Sequence, residues 1–452
     1  MDSFDELISI LVQKIEGKEV RERGRNSDAQ KHFRNGVAYL VSQLWKGTSI
    51  HDEYEGSINK RSNWYSHTSR YADKNLTFRQ TMAAYEGLID VKAIRETRGG
   101  FLDRDRLEGE LTKFIARDEL LSMFSDLKQD PIRAITPNLN LECIVLRDNL
   151  DDGRQQVEYF DTDATNEMRE NLRQINYCLK RHWADIRIKD TEWELLQERL
   201  RLSPNKQPID LTKWSLTRIF SNGSFEQGGR FYRAWWHQVP SEYRKYITLD
   251  GKRTSEYDFS QLNPHMVYYL RGKDIGEEDA YDRVFDGMHR DIVKDAFNAM
   301  IQSSTPLTRE PDDIDLSEVD FDWNTLRTAV LNSHKAIEDM FFKGYGNHLQ
   351  YIDSCIAEQV MLQFLKSDDA PVLPVHDSFI MHWAYGDLGE IEEAMRRAFF
   401  NKFKKDIKIR EEIGVMLPSE WDKEDADNFM IDSIPLGKDG FEMWNKRNLY
   451  SD

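Results

Sequence analysis

Two aspartates far apart in the chain carry the chemistry to be explained. Asp258 closes the strand-like run Thr254-Ser255-Glu256-Tyr257-Asp258-Phe259, after which Asn263-Pro264 resets the backbone ahead of a helical segment, His265 to Leu270. Asp377 sits in His376-Asp377-Ser378, between Pro371-Val372-Leu373-Pro374-Val375 and Phe379-Ile380-Met381-His382-Trp383. Two apolar runs rich in Val, Ile, Phe and Trp around a polar tripeptide read as a β-hairpin with its acid at the turn. Asp and Ser are also ordinary turn residues, so the hairpin alone does not specify a site. Two strand-borne carboxylates facing each other across a sheet would meet a specific need. Phosphoryl and nucleotidyl transfer require two divalent ions roughly 3.5–4 Å apart, bridged by carboxylates so that attacking and leaving oxygens are both stabilised. Magnesium suits such a site, because it keeps several waters and binds through one or two carboxylates.

The cations are placed to serve the same chemistry. Arg290 and Lys294 stand four residues apart, so one helix face presents both towards a triphosphate. Tyr243, Arg244 and Lys245, just beyond Gly228-Gly229-Arg230, are suited to backbone phosphates. His376 adjoins the second aspartate, where it could meet a bound nucleic-acid strand. From Arg201 to Arg253 there are ten Lys/Arg against four Asp/Glu, a basic tract that abuts Asp258. Trp235 and Trp236 in that tract read as core rather than as stacking platforms.

The whole chain is acidic, with a net charge of −18 over 452 residues, and 39% hydrophobic residues are enough for two to four domains. Net acidity argues against general phosphate-backbone affinity, so nucleic-acid contact has to come from local basic strips. The residues 61–117 form a second strip, with eleven Lys/Arg against eight Asp/Glu. The acidic surplus lies around Asp274 to Asp286, Glu310 to Asp322 and the C-terminal segment. Cys143, Cys178 and Cys355 are isolated and lack zinc-site or disulfide spacing. The opening residues carry acids and no long apolar stretch, so a cytoplasmic protein with no membrane partner is expected.

The elements that must hold these residues follow from pattern. Phe4 to Ile15 and Asp28 to Trp45 read as amphipathic helices, and His51 to Asn63 as a loop. Thr77 to Gly87 reads as a helix, Leu88 to Ile94 as a strand, Arg98-Gly99-Gly100-Phe101 as a turn and Leu111 to Ile115 as the return strand, with Glu119 to Leu127 as a closing helix. This order is that of a winged helix. Arg79 would then open the recognition helix, and Arg95, Arg98, Arg104 and Arg106 would line the wing beside phosphates. Leu141 to Leu146 and Val157 to Phe160 read as strands around Asp151-Asp152-Gly153. Asp161-Thr162-Asp163 caps a helix from about Asn166 to Trp183, and Asp353 to Leu365 forms a supporting core helix.

Taken in order, four of these motifs resemble the palm and fingers of family A DNA polymerases and the phage-type single-subunit RNA polymerases, over residues 228–383. Gly228-Gly229-Arg230-Phe231-Tyr232, with Val239-Pro240 after it, is similar to the Gly-Arg motif that meets template and primer. Asp258-Phe259-Ser260-Gln261-Leu262 is similar to the first metal motif. Arg290-Asp291-Ile292-Val293-Lys294 keeps the spacing of the fingers helix, and Val375-His376-Asp377-Ser378-Phe379 resembles the second metal motif, its Ser-Phe form leaning towards the RNA branch. The resemblance implies Asp258 and Asp377 as catalytic metal ligands, Arg290 and Lys294 as triphosphate contacts, and Arg230 as a nucleic-acid contact. The sequence departs from the family at two nucleotide-pocket positions. Asn263 replaces the Glu that screens against ribose in the DNA enzymes, and Gln302 the Tyr that shapes the pocket, which leaves sugar choice open.

The expected fold is α+β: a right-hand polymerase palm with an antiparallel sheet and flanking helices, plus a helical, winged-helix-like N-terminal domain. The expected divisions are residues 1–128 for DNA binding, 129–210 as a thumb-like helical connection, and 211–452 as palm, short fingers and a C-terminal helical extension. The expected activity is metal-dependent addition of nucleotides to a 3′-hydroxyl, in a phage, plasmid or defence context. Its partners would be DNA and/or RNA and nucleoside triphosphates, and its cofactor two Mg2+ ions, with Mn2+ as the other candidate. A non-catalytic DNA-binding initiator or regulator that keeps the palm as scaffold is the alternative, and a metal-dependent nuclease the third reading.

Overall fold

The computed structural model describes residues 1–412 except 22, 51–53, 100, 104–107, 151–152, 204–205, 384 and 386–388. Arg104, Arg106, the Asp151-Asp152 pair and the expected C-terminal helical extension lie outside these. The first part of the chain folds around its own core. It comprises α1 (Phe4–Lys18), α2 (Ser27–Gly47), β1 (Gly56–Ile58), α3 (Phe78–Asp90), β2 (Ile94–Arg98), β3 (Phe101–Asp103), β4 (Glu108–Glu110), β5 (Thr112–Ala116) and α4 (Asp118–Ser125). Ser3 and Asn26 cap the first two helices through side-chain oxygens, and α1 buries Leu7, Ile8, Leu11, Val12 and Ile15 at helical spacing. Strands pair antiparallel in the order β1-β5-β2, with β3 and β4 as a separate hairpin.

Two expectations are corrected here. Leu88 to Asp90 continues α3 instead of starting a strand, because Leu88 is fully buried on the helix face that also buries Ala84 and Tyr85. The stretch read as a loop contains β1, whose Gly56 lies against the Phe114 ring too closely for any side chain.

The middle of the chain gives α5 (Pro131–Ala134), β6 (Ile144–Leu150), β7 (Gly153–Gln156), α6 (Asp163–Arg181), β8 (Ala184–Ile186), α7 (Asp190–Leu202), β9 (Thr217–Ser221) and β10 (Ser224–Tyr232). Strands enter this stretch as well as helices. β6 runs parallel to β9, and the sheet order is β10-β9-β6-β7. The returning strand of the β6–β7 hairpin ends before Val157, so Val157 to Phe160 is not the strand expected. Val157 and Tyr159 instead bond Tyr71 and Ile144 through a carbonyl and a hydroxyl. Thr162 and Thr165 form a reciprocal capping box that starts α6.

The remaining elements are α8 (Ser241–Arg244), β11 (Ile247–Leu249), β12 (Lys252–Phe259), α9 (Leu262–Leu270), α10 (Arg290–Gln302), α11 (Trp323–Ser333), α12 (Gly346–Asp368), β13 (Leu373–Val375), β14 (Ser378–His382), a helix Glu390–Phe403 and β15 (Ile409–Glu412). β12 is the organising strand. It pairs antiparallel with β14 along one edge, and with β11 and then β15 along the other. Asp250 and Gly251, with φ of 53° and 75°, make the two-residue turn that feeds β12 from β11. Helix α12 packs its buried face, including Ile356, Val360 and Phe364, against the core beneath β10. The architecture is α+β with mainly antiparallel sheets. No helix among the described residues is long and apolar enough to cross a membrane.

Candidate two-carboxylate site

Register brings the two aspartates together. Asp258 is the cross-strand partner of Ser378, and Val375 pairs with Ser378 across the β13–β14 hairpin, so His376 and Asp377 form its two-residue connection. Asp377 therefore stands one residue from the position opposite Asp258. His376 takes φ +59°, a left-handed conformation that a histidine adopts at a cost of about 1 kcal/mol or more. Ser378 is a structural residue: its hydroxyl donates to Glu256 Oε1 at 2.6 Å, with the Val375 carbonyl as a second acceptor at 3.1 Å sharing the same proton, and ties the turn to β12.

The electrostatics record the same convergence. Burial, with the Asp377 charge next, pushes the Asp258 carboxyl up to about 7, and Lys294 and Arg410 oppose the rise. Two carboxylates in one half-buried place resist joint ionisation unless a cation joins them. Lys294 is exposed one turn beyond Arg290 on α10, as the spacing predicts. Arg290 is pinned by Asp279 at 2.8 Å and Asp282 at 3.4 Å, with its guanidinium over the Tyr281 ring at 5.2 Å.

Tyr281 and Asp279 belong to the site and were not anticipated. Tyr281 is buried, and burial with the nearby Asp377, Asp279 and Asp258 charges raises its phenol, opposed by Arg290. Asp279 accepts from the Tyr281 and Asp282 amides, and Gln261, in the left-handed region just after β12, accepts from Ala280 at 2.6 Å. The only signal in the sequence was a tyrosine inside an acidic stretch, and that stretch reads as solvated surface.

Arg230 reaches the site through a distortion of β10. Gly228 and Gly229 have φ of 74° and 80°, and the ladder to β9 is irregular on both sides of Gly228. A Cβ on Gly229 would lie 2.6 Å from the Phe220 ring, so both conformation and space demand glycine there. Buried Arg218 donates to the Gly229 carbonyl at 2.8 Å and pairs with Glu358 on α12, locking the bulge to that helix. Arg230 then pairs with Asp353 of α12 and feels the Asp377 charge. Both Arg230 contacts go to one Asp353 oxygen, and the other, Oδ1, is buried with no hydrogen-bond partner among the described residues. Burial pushes Asp353 up to about 7 against the pull of Arg230, with Asp377 adding to the rise.

Asn263 and Gln302 meet as well. They line one cavity of about 430 Å³ with Arg230, Asn298, Asp295 and Gln350, and Asn263 donates to Asn298 at 2.9 Å. Other expected contacts lie differently. Arg244 is committed to Glu256 at 2.8 Å, Lys245 lies over the Tyr246 ring at 5.1 Å, and Tyr243 packs against the core. Arg79 and Arg98 are exposed on α3 and β2 of the first part of the chain. Trp235 and Trp236 are buried, as their apolar neighbours suggest.

Among the described residues no group of three or more His, Cys, Asp and Glu side chains is arranged to hold a metal ion. A two-carboxylate donor set nevertheless suits a hard cation that keeps water and phosphate oxygens as its other ligands. Comparison with models of known protein families finds no match, and no curated protein matches the sequence.

Proposed function

We infer that this chain is a metal-dependent nucleotidyltransferase that extends a 3′-hydroxyl, built on a polymerase-like palm. The observation that carries this reading is the convergence of Asp258 and Asp377, with Lys294 within electrostatic reach of Asp258 and Arg290 one helical turn before it. Asp258 and Asp377 would hold two Mg2+ or Mn2+ ions, which when bound would stabilise the charge that develops on the transferred phosphoryl group. Lys294 neutralises a triphosphate as a point charge. Arg290 sits at the start of α10, where the helix end also favours anions. Arg230 is held rigid by Asp353 beside Asp377, where it orients the strand whose terminus reacts. The Asn263–Gln302 cavity would take the sugar and base. In this reading catalysis is positioning and charge neutralisation, with no covalent enzyme intermediate.

The N-terminal unit, with its β1-β5-β2 sheet, α3 and the β3–β4 hairpin, has the element order of a winged helix and would hold duplex DNA through Arg79 and Arg98. A labelled primer, with and without template, incubated with Mg2+ or Mn2+ and either dNTPs or NTPs, separates the alternatives. Extension by the wild type that is lost in Asp377→Ala supports the transferase. Degradation of the primer identifies a nuclease, and binding without turnover a regulator.

A further inference from the structure

A second concavity, about 1160 Å³, adjoins the site and is much larger than the nucleotide cavity. Its walls come from α2, β6, β9, β10 and the segment preceding β9, and Gln302 and Gln350 line both it and the smaller cavity, so the two spaces adjoin. At its other margin Tyr232 and His237 stand with ring centres 6.2 Å and 6.4 Å from that of His376, the residue before Asp377.

The charges of this cleft are unbalanced. Lys46, Arg147, Lys213 and Arg233 line it, against the carboxylates Glu142 and Asp210. Both acids are already engaged: Glu142 receives Arg169 and Arg70, and Asp210 receives Lys46 at 2.7 Å and Lys213 at 3.7 Å. Arg233 is exposed in the cleft and has no hydrogen bond or ion pair among the described residues. Its backbone is held at φ +78°, a left-handed conformation that is strained for a residue with a side chain. Desolvation and the neighbouring Arg147 both weaken its hold on its proton. Like charges gathered in one groove, one of them on a strained backbone, suit an anionic ligand.

We propose that this cleft binds a single nucleic-acid strand, with Arg233, Arg147 and Lys213 on its phosphates, and delivers that strand to the carboxylate site. A run of phosphates is favoured over a lone anion by the spread of the cations across several elements. A single strand is favoured over a duplex by Tyr39, Tyr232 and His237, partly exposed rings interleaved with the cations, on which unpaired bases stack. This assignment deepens the transferase reading and rests on it only for the strand's destination.

The test is fluorescence anisotropy on the full chain in EDTA without nucleotides. The probes are labelled oligothymidylate and oligouridylate of about 12 nucleotides, within the span of single-strand sites, and a blunt duplex of the same length. Arg233→Gly relieves the positive φ while removing the charge, and thermal denaturation run alongside reports whether the fold is kept. Arg233→Gly and Lys213→Gln should each weaken single-strand binding about tenfold. Each should also flatten the dependence of log K on log salt by about 0.7. Unchanged affinity and slope in a folded Arg233→Gly protein overturns the proposal, and so does a loss of duplex affinity in that variant as large as its loss of single-strand affinity. Primer extension by the wild type, run alongside, keeps the two readings apart. If the wild type extends primers while Arg233→Gly binds normally, the cleft assignment alone fails. If Arg233→Gly loses strand binding but the wild type never extends, the cleft stands and the transferase fails.

Discussion

Replacing Asp258 by Asn should stabilise the metal-free protein, and more so as pH rises. The carboxyl is displaced from 3.8 to about 7 by burial and by Asp377. At 1.36 kcal/mol per unit that displacement corresponds to about 4 kcal/mol. Asp258 is only half-buried, so solvent screening reduces this to ~2 kcal/mol. The sign follows from linkage. A carboxyl whose folded pKa is raised binds its proton more tightly in the fold, so folding is unpenalised below its unfolded value of 3.8, and the penalty grows until pH passes about 7. Asn mimics the protonated form. The Asp258→Asn variant should therefore gain about 4 °C in Tm at pH 8, less than half of that at pH 5, and nothing near pH 4. Millimolar Mg2+ should raise the wild-type Tm at pH 8 and leave the variant unmoved, because a cation between the carboxylates removes the repulsion. Scanning calorimetry in EDTA and in Mg2+ across this range is the assay. A variant less stable than wild type at pH 8, or a gain that does not change with pH, would refute the convergence of the two carboxylates.

Three other outcomes follow from the geometry. Lys294→Ala should raise the pH midpoint of Asp258, seen as a shift in the pH dependence of stability, and weaken triphosphate binding about tenfold by titration calorimetry. Gly229→Ala meets both a φ of +80° and the Phe220 ring at 2.6 Å, so it should cost about 2–3 kcal/mol in denaturant unfolding and misplace Arg230. Arg230→Met leaves buried Asp353 without a counter-charge, so the variant should lose about 3 kcal/mol at pH 8 and recover much of it at pH 5 as Asp353 takes up a proton, by urea titration at both pH values.

How much of this could be read from the chain depended on whether local pattern and tertiary context agreed. They agree for α1, α2 and α6, where capping residues and helical apolar spacing coincide, and for the β13–β14 hairpin, where apolar runs flank a polar pair. They disagree at Leu88 to Asp90. There Ile89 and Val91 suggest a strand, but burial of Leu88 on the face that also buries Ala84 and Tyr85 extends the helix. The parallel pairing of β6 with β9 joins segments separated by α6 and α7, and no local signal encodes it. The same holds at the site. Asp258, Asp377, Arg230 and Lys294 were legible as residue types at meaningful spacings. The Arg230–Asp353 pair, the return of Tyr281 and Asp279 to the carboxylates and the diversion of Arg244 to Glu256 depend on folded contacts across 11 to 123 residues.

Single-nucleotide incorporation on a labelled primer, by the wild type and Asp377→Asn side by side in Mg2+, tests the central claim most directly. Incorporation by the wild type, with a drop of about a thousandfold in the variant, equivalent to roughly 4 kcal/mol of transition-state stabilisation, is the predicted result. Equal rates in the two proteins, or no incorporation by the wild type with any nucleotide or divalent ion, would contradict it.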